Sequence, residues 1–481
     1  MTDTLAVVGP TAPAGADASS LLAGVRDLAR SDPGRVALVG DDGELGYAEL
    51  WQRVLDVAAG LGDRPGVVGV PALHVPETVI SLLGVWAAGG TYCPIDPSFP
   101  ADRVETMLAS VRGHSAALGS DAAYVLFTSG STGRPKPVAV PHRALEVVVP
   151  ALRELFAITP DDRVLQFASL NWDTAFEEIL PTLAAGAAVV SGAEAHTGSL
   201  PRLLRMIERQ RVSVLDLPTA VWHELVLHLS ETGAGLPDPV RLCVIGGEPV
   251  NPTRLSAWRA LPGIDRVRLL NTYGATETAL ITHAVDLHGP GCSVAGAPIG
   301  RPLDHVVQRV TVEGELLVGG PALALGYPGL PEATAERFVE LDGERFFRTG
   351  DLVGEEHGLL HHLGRLDAQV KVRGIRVDPG EVEALLVQHP GVAAAAVLGV
   401  TASERTVLVA YVVPTVPLAA HEHAALVGEL RGFVRGQAPC HLHPSRLTIV
   451  PALALTASGK ADRRATHARF GTPTRPQEAT T

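Results

Sequence analysis

The sequence predicts an α/β protein: a large N-terminal domain of helix-covered, mostly parallel sheets with a β-rich subdomain, followed by a small C-terminal α+β domain. Three observations carry this. Short β-branched runs alternate with helix-length stretches through the first part of the chain, which calls for a parallel sheet covered by helices. From about residue 306 the strand signals become denser. After a polar connector, Arg365-Leu366-Asp367, a compact mixture of short strands and helices follows.

Taken in order, residues 36–39, 67–70, 123–127, 164–167, 212–215 and 240–245 read as strands, and 47–61, 76–88 and 199–210 as helices. The β-rich part reads as strands at 309–312, 315–318, 346–348 and 359–363. Beyond Gly364 come a strand at 369–372, a helix at 379–388, strands at 393–399 and 407–413, and a helix at 423–436. This divides the chain into a core of residues 1–366, a small domain of residues 367–470, and a Thr/Pro-rich tail of residues 471–481 expected to fray. The stretch between Pro71 and Tyr124 looks short, as though a loop or strand were missing.

Composition excludes several classes. The 481 residues are 46% hydrophobic and 19% charged, enough for a large core and unlike a disordered chain. The longest apolar runs, such as residues 392–400, fall short of the roughly 18–20 residues a membrane helix needs. No secretory n-region and cleavage site opens the chain, so the expected location is the cytoplasm. Cys93, Cys243, Cys292 and Cys440 lie far apart with no CxxC, as expected of free, buried thiols in a reducing compartment. A net charge of −13 speaks against a scaffold for nucleic acid.

Of the 39 basic residues only Lys136, Lys371 and Lys460 are lysines. Against that arginine bias, the three mark positions where a compact, mobile point charge matters, with drift as the alternative. Lys136 ends a turn, Thr128-Ser129-Gly130-Ser131-Thr132-Gly133-Arg134-Pro135-Lys136, that follows a strand. Two glycines, four hydroxyls and a lysine suit a loop that wraps phosphate oxygens. It is neither a Walker A loop nor a dinucleotide G-x-G-x-x-G, and no G-x-S-x-G elbow is present.

Residues 124–136 (YVLFTSGSTGRPK) resemble the phosphate loop of the adenylate-forming superfamily, whose members join a carboxylic acid to AMP. Residues 87–100 (AAGGTYCPIDPSFP) are similar to a segment of the amino-acid adenylation domains of nonribosomal peptide synthetases. Residues 271–278 (NTYGATET), 314–327 (GELLVGGPALALGY), 348–352 (RTGDL), 364–383 (GRLDAQVKVRGIRVDPGEVE) and 455–464 (LTASGKADRR) follow in family order. One departure is Pro137 where the family usually has glycine, which stiffens the loop exit.

The resemblance implies ATP-dependent activation of an amino acid to an aminoacyl-AMP, pyrophosphate release, and transfer to the phosphopantetheine thiol of a carrier protein. Attack of one anion on another needs positive charge where negative charge builds up. By resemblance Thr128, Ser129, Gly130, Ser131, Thr132, Gly133 and Lys136 hold the β- and γ-phosphates. Thr276 contacts the α-phosphate and Glu277 helps place Mg²⁺, a hard cation suited to carboxylate oxygen. Tyr273 stacks on adenine, Asn271 binds its amine, and Asp351 holds the ribose with Arg365. Lys460 bridges the substrate carboxylate and the α-phosphate. Asp367 is the hinge of a mobile C-terminal domain, and Lys371, Arg373 and Gly374 swing in for thiol transfer.

Asp173 and Glu177 are i, i+4 and share a helix face, whereas Glu178 lies about 140° away. Two such acids repel unless a cation lies near them, with helix capping as the other role open to Asp173. By resemblance Asp173 binds the substrate α-ammonium, and the family's pocket positions fall on Asp173, Thr174, Glu177, Asp216, Val244, Gly246, Thr272, Leu280, Ile281 and Lys460. Glu177 and Asp216 would then be two carboxylates in an otherwise apolar cleft. Burying them unpaired is costly, so a basic substrate is expected: lysine, ornithine, diaminobutyrate, arginine or a cyclised relative.

No carrier-type Gly-His-Ser setting follows Lys460, so the chain reads as a free-standing ligase (or an excised domain) of secondary metabolism, as in antibiotic biosynthesis. It would charge an acidic carrier protein in trans, with no nucleic-acid or membrane partner. Residues 424–481 hold eight basic side chains against three acidic ones, a surface for such a carrier or simply a solvated face. Some adenylation domains use a small helper protein, which is a further conceivable partner. His361-His362, His421/His423 and His441/His443 form no metal site and are expected at the surface or in loops. Two rivals remain open: an acyl- or aryl-CoA ligase, which would need neither Asp173 nor residues 87–100, and a non-catalytic scaffold.

Overall fold

The computed structural model describes residues 5–6, 20–114, 118, 121–128, 135–290, 292, 294, 296–372, 375–402, 405–419, 421–455 and 461–471. Its contacts divide the chain into two compact units. One comprises Met1–Pro97, Val104–Phe127 and Pro137–Leu366; the other comprises Ser98–Arg103, Thr128–Lys136 and Asp367–Thr481.

The expected α/β architecture is present. In the larger unit six parallel strands lie side by side in the order Val36–Gly40, Ala188–Val190, Arg163–Leu165, Val214–Pro218, Leu242–Gly246 and Arg268–Gly274. Antiparallel strands close both edges: Gly43–Gly46 on one side, Ile281–His288 and Arg301–Pro302 on the other. A second sheet contains the parallel strands Val67–Pro71, Thr91–Ile95 and Ala122–Thr128, followed by Lys136–Pro141. The β-rich part is an antiparallel sheet of Val307–Val310, Glu315–Gly319, Glu344–Glu356, Phe338–Leu341 and Leu359–Arg365.

Helix Tyr47–Leu61 buries Tyr47, Leu50 and Val54, a stripe with helical spacing. The Tyr47 hydroxyl donates to Leu183 O and Ala187 O at 3.2 and 2.9 Å, tying this helix to the end of Thr174–Ala184. That second helix is buried from Ala175 through Leu183, so two of its acids, Glu177 and Glu178, lie inside the protein. Phe176 stacks on Tyr124 with ring centroids 4.4 Å apart.

Sequence and structure differ where proline obscured regular structure. Strands Thr91–Ile95 and Lys136–Pro141 contain Pro94 and Pro137, and helix His142–Leu155 contains Pro150; proline argues against each by propensity, and burial overrides it. The stretch between Pro71 and Tyr124 carries helix Pro76–Ala87, strand Thr91–Ile95 and helix Ala101–Arg112. The expectation of four buried thiols is corrected. All four are free and Cys93 and Cys243 are buried, but Cys292 is half-buried and Cys440 exposed.

In the smaller unit, Val392–Ala402 and Arg405–Pro414 form a long antiparallel hairpin with Arg446–Ile449 parallel to its second strand. Helices Pro379–Val387 and His423–Gln437 cover it around Val382, Leu386, Leu430 and Val434. Arg463, at the start of helix Arg463–Phe470, is gripped bidentately by Glu383 at 2.6 and 2.7 Å, so it is not part of a solvated basic face. Among the described residues no helix is long and apolar enough to cross a membrane.

Candidate active site

The site in the larger unit is built on the ends of parallel strands. Register pairs Asp216 with Val244, and Gly246 with Thr272. Since side chains alternate along a strand, Asp216, Val244, Gly246 and Thr272 share one sheet face. Gly246 is required there: a Cβ would lie 2.6 Å from Thr272 Oγ1. Thr272 Oγ1 in turn donates to Ile245 O at 3.1 Å.

Leu280 and Ile281 enter through the turn that follows strand Arg268–Gly274. The single turn Thr276–Thr278 leads into Ala279 and Leu280, both left-handed at φ 51° and 74°. Two consecutive non-glycine residues in that region are strained, and the surrounding packing must hold them. The chain passes so close that a Cβ on Gly274 would meet Leu280 O at 2.1 Å.

Asp173 and Thr174 stand half-buried at the start of helix Thr174–Ala184. The Asp173 side chain makes no capping hydrogen bond, so the capping alternative is not realised. Glu177 and Asp216 are buried, at 7% and 4% exposure. The two carboxyls interact directly. Burial, then the neighbouring Asp216, Asp173 and Glu178 charges, push Glu177 well above the usual carboxylate range; burial pushes Asp216 up to about 7. Asp216 Oδ2 has no hydrogen-bond partner among the described residues.

Glu178 is a residue that the helix geometry pointed away from the pocket. It is buried and accepts from Phe167 N and Ala168 N, each at 2.9 Å, and from Gln166 Nε2 at 3.3 Å. Gln166 also donates to Ala168 O and lies 2.9 Å from His74 Nδ1. These bonds explain why the strand expected at 164–167 stops at Leu165: the next three residues are turned into a loop held by Glu178. In the sequence its only trace is a second glutamate directly after Glu177.

The residues expected on the nucleotide side form a separate cluster. Asp351 and Arg365 are register partners on adjacent strands, and Arg365 Nη1 donates to Asp351 Oδ1 at 2.5 Å. The Tyr273 hydroxyl donates to Asp351 Oδ2 at 2.6 Å, and His362 Nε2 lies 3.2 Å from Oδ1. Burial and the Asp351 charge hold the Tyr273 phenol well above its ordinary range. His362, expected at the surface or in a loop, is exposed and is at the same time a partner of this carboxylate. Asn271 is buried and donates to Pro298 O at 2.8 Å.

Glu277 is buried, and its Oε1 accepts from the Tyr327 hydroxyl at 2.8 Å; Thr276 beside it is half-buried. Tyr327 closes the motif at residues 314–327, but nothing in that motif singled it out. Among the described residues no group of three or more His, Cys, Asp or Glu side chains could hold a metal ion. A lone carboxylate still fits Mg²⁺, which commonly takes one or two carboxylates together with phosphate oxygens.

Thr128 and Lys136 are half-buried strand ends flanking the glycine-rich segment of the sequence. Ser129, Gly130, Ser131, Thr132 and Gly133 lie outside the described residues, as do Arg373, Gly374 and Lys460. Asp367 is half-buried and accepts from Gln369 N at 3.2 Å. Lys371 lies on strand Val370–Val372 opposite Arg376.

The family model for AMP-binding enzymes matches residues 25–113 and 112–328, and that for the AMP-binding enzyme C-terminal domain matches residues 381–460. An isonitrile lipopeptide synthase of Streptomyces coeruleorubidus is 39% identical over 92% of this chain and 33% of its own length. A linear gramicidin synthase of Brevibacillus parabrevis is 35% identical over 90% of this chain and 6% of its own length. The chain thus spans a third or less of these relatives. In fold it resembles NpsA-ThdA, an artificially fused adenylation-PCP di-domain from Klebsiella oxytoca. The TM-score is 0.76 at 24% identity, over 90% of this chain and 94% of that one. With both models matched, the chain belongs to the AMP-binding enzymes of the adenylate-forming superfamily and is related to the adenylation domains of nonribosomal peptide synthetases.

Proposed function

We propose that this chain activates a basic amino acid (lysine, ornithine, diaminobutyrate or an arginine-like relative) as its adenylate and passes it to the phosphopantetheine thiol of a carrier protein. A substrate carboxylate oxygen attacks the α-phosphorus of ATP, and the bond to the bridging oxygen breaks to release pyrophosphate. The carrier thiolate then attacks the activated carbonyl carbon and AMP leaves.

One observation carries the substrate class: Glu177 and Asp216 are buried together beside Asp173, and among the described residues no cation acts on them. Uncompensated carboxylates in such a place are costly, and a substrate with its own side-chain cation turns that cost into recognition. Asp173 takes the α-ammonium. Thr174, Val244, Gly246, Thr272, Leu280 and Ile281 line the remainder, small or apolar enough to leave room for an aliphatic stem.

On the nucleotide side Tyr273 stacks on adenine, Asn271 reads its amine, and Asp351 with Arg365 holds the ribose. Thr276 meets the α-phosphate, while Thr128, Ser129, Gly130, Ser131, Thr132, Gly133 and Lys136 hold the outer phosphates. Glu277 helps to hold Mg²⁺, which when bound offsets phosphate charge. Asp367 serves as hinge of the small domain. The carrier partner is supported by the adenylation-PCP fusion among the fold relatives.

An amino-acid-dependent ATP–pyrophosphate exchange panel tests the reading. Basic amino acids should lead it, and preference for leucine or phenylalanine would end the assignment. Lys460→Ala should lower exchange by about a hundredfold or more while thermal unfolding stays unchanged, the scale of losing one preorganised charge at a transition state. Charging of a carrier protein rather than coenzyme A separates this activity from that of a CoA ligase.

A further inference from the structure

The pocket acids are more numerous than one substrate cation can balance. Glu177, Glu178 and Asp216 are all buried, and Asp173 stands at the same helix end. Glu178 is satisfied by two backbone amides and Gln166. Asp216 is not: its Oδ2 has no donor among the described residues, and the residue is only 4% exposed. Among the described residues, few groups face the pair. On the helix they are Asp173 and Glu178, and on strand Ala122–Thr128 the Tyr124 hydroxyl; the Cys243 thiol on strand Leu242–Gly246 feels the Asp216 charge but belongs to the other sheet face, since Val244 shares the face of Asp216. Tyr124 Oη likewise has no hydrogen-bond partner among the described residues. None of these brings positive charge.

We propose that the Glu177–Asp216 pair recognises its substrate by exchange, holding one proton in the empty pocket and releasing it to solvent as the substrate's side-chain cation takes its place. This rests on the basic-substrate reading above and goes beyond it, because that reading needs only attraction. The elevated range of both groups, Asp216 at about 7, places the exchange near neutral pH. No bond other than the O–H is broken, and the proton leaves to buffer. Proton and ammonium compete for one site, so discrimination against an uncharged isostere improves as pH rises.

Calorimetry on the full chain, saturated with a non-hydrolysable ATP analogue, tests this in buffers of different ionisation enthalpy at pH 6.5. The leading substrate of the exchange panel should release between about 0.3 and 1 proton, and its neutral isostere (norleucine for lysine, norvaline for ornithine) about none. The ratio of kcat/KM for cation over isostere should rise about tenfold from pH 6 to 7.5. Asp216→Asn should abolish the proton release, and Glu177→Gln should do the same if that variant fails to fold. Tight binding of a basic amino acid without proton release, and with a flat ratio, would overturn the exchange but leave the substrate class standing. If no basic amino acid binds at any pH, both fall.

Discussion

Asp351 and Asp216 are both buried aspartates in the larger unit, at 8% and 4% exposure, yet the protein treats them in opposite ways. Around Asp351 the chain supplies the donors itself: Arg365 across the ladder, the Tyr273 hydroxyl and His362. Around Asp216 it supplies further acids, and among the described residues one oxygen stays unmatched. The first arrangement is preorganised and stable without ligand. The second is tolerable only with a proton or an incoming cation, and in the proposed activity the two features divide accordingly. Under that proposal Asp351 would hold the cosubstrate common to every turnover, whereas Asp216 would select among amino acids.

The comparison breaks most visibly in stability. Arg365→Ala leaves Asp351 buried without its cation and should cost about 3 kcal/mol of unfolding free energy, read by denaturant melts, with a raised KM for ATP. If that variant is as stable as the parent, the cluster is not a compensated site. Asp216→Asn should act with opposite sign. It removes an uncompensated charge and should leave ligand-free stability unchanged or raise it by about 1 kcal/mol, while lowering kcat/KM for the basic substrate by about a hundredfold. A clear destabilisation by Asp216→Asn would show that a cation of the protein already balances the pair.

A smaller effect sharpens the same contrast. The carboxyl of Asp216 is near 3.8 when unfolded and about 7 when folded. The unfolded chain ionises first as pH rises, so this group's stabilising contribution is whole below about pH 4 and declines as pH rises through about 7. Ligand-free thermal stability should therefore fall between pH 5.5 and 8 by more in the parent than in Asp216→Asn. The basic substrate should restore it most at the higher pH. Identical pH slopes in the two proteins would remove the basis for a protonated pair.

Much of the architecture is legible in the chain because its physical cause is local. The 47–61 helix announces itself by the spacing of Tyr47, Leu50 and Val54, and the parallel strands by short β-branched runs between helices. Where proline interrupts a buried element, as at Pro94, Pro137 and Pro150, local propensity points the wrong way and only burial explains the outcome. The candidate site divides similarly. Asp173 and Glu177 are singled out by helix spacing, Asp351 and Arg365 by motifs, and Asp216 only through the resemblance that supplies the pocket positions. Tyr327, His362, Gln166 and Glu178 owe their roles to partners far away in sequence: Glu277 for Tyr327, and a loop folded back eleven residues for Glu178.

By itself, then, the order of residues settles which groups are available: a phosphate-type loop with a rare lysine, an acid pair on one helix face, and strand runs long enough to carry them. The tertiary structure decides what those groups cost. Whether an aspartate is a satisfied partner or an open demand for charge depends on what the neighbouring strands and helices bring within reach. Electrostatic free energy in a low-dielectric interior is set by those distances and not by residue type.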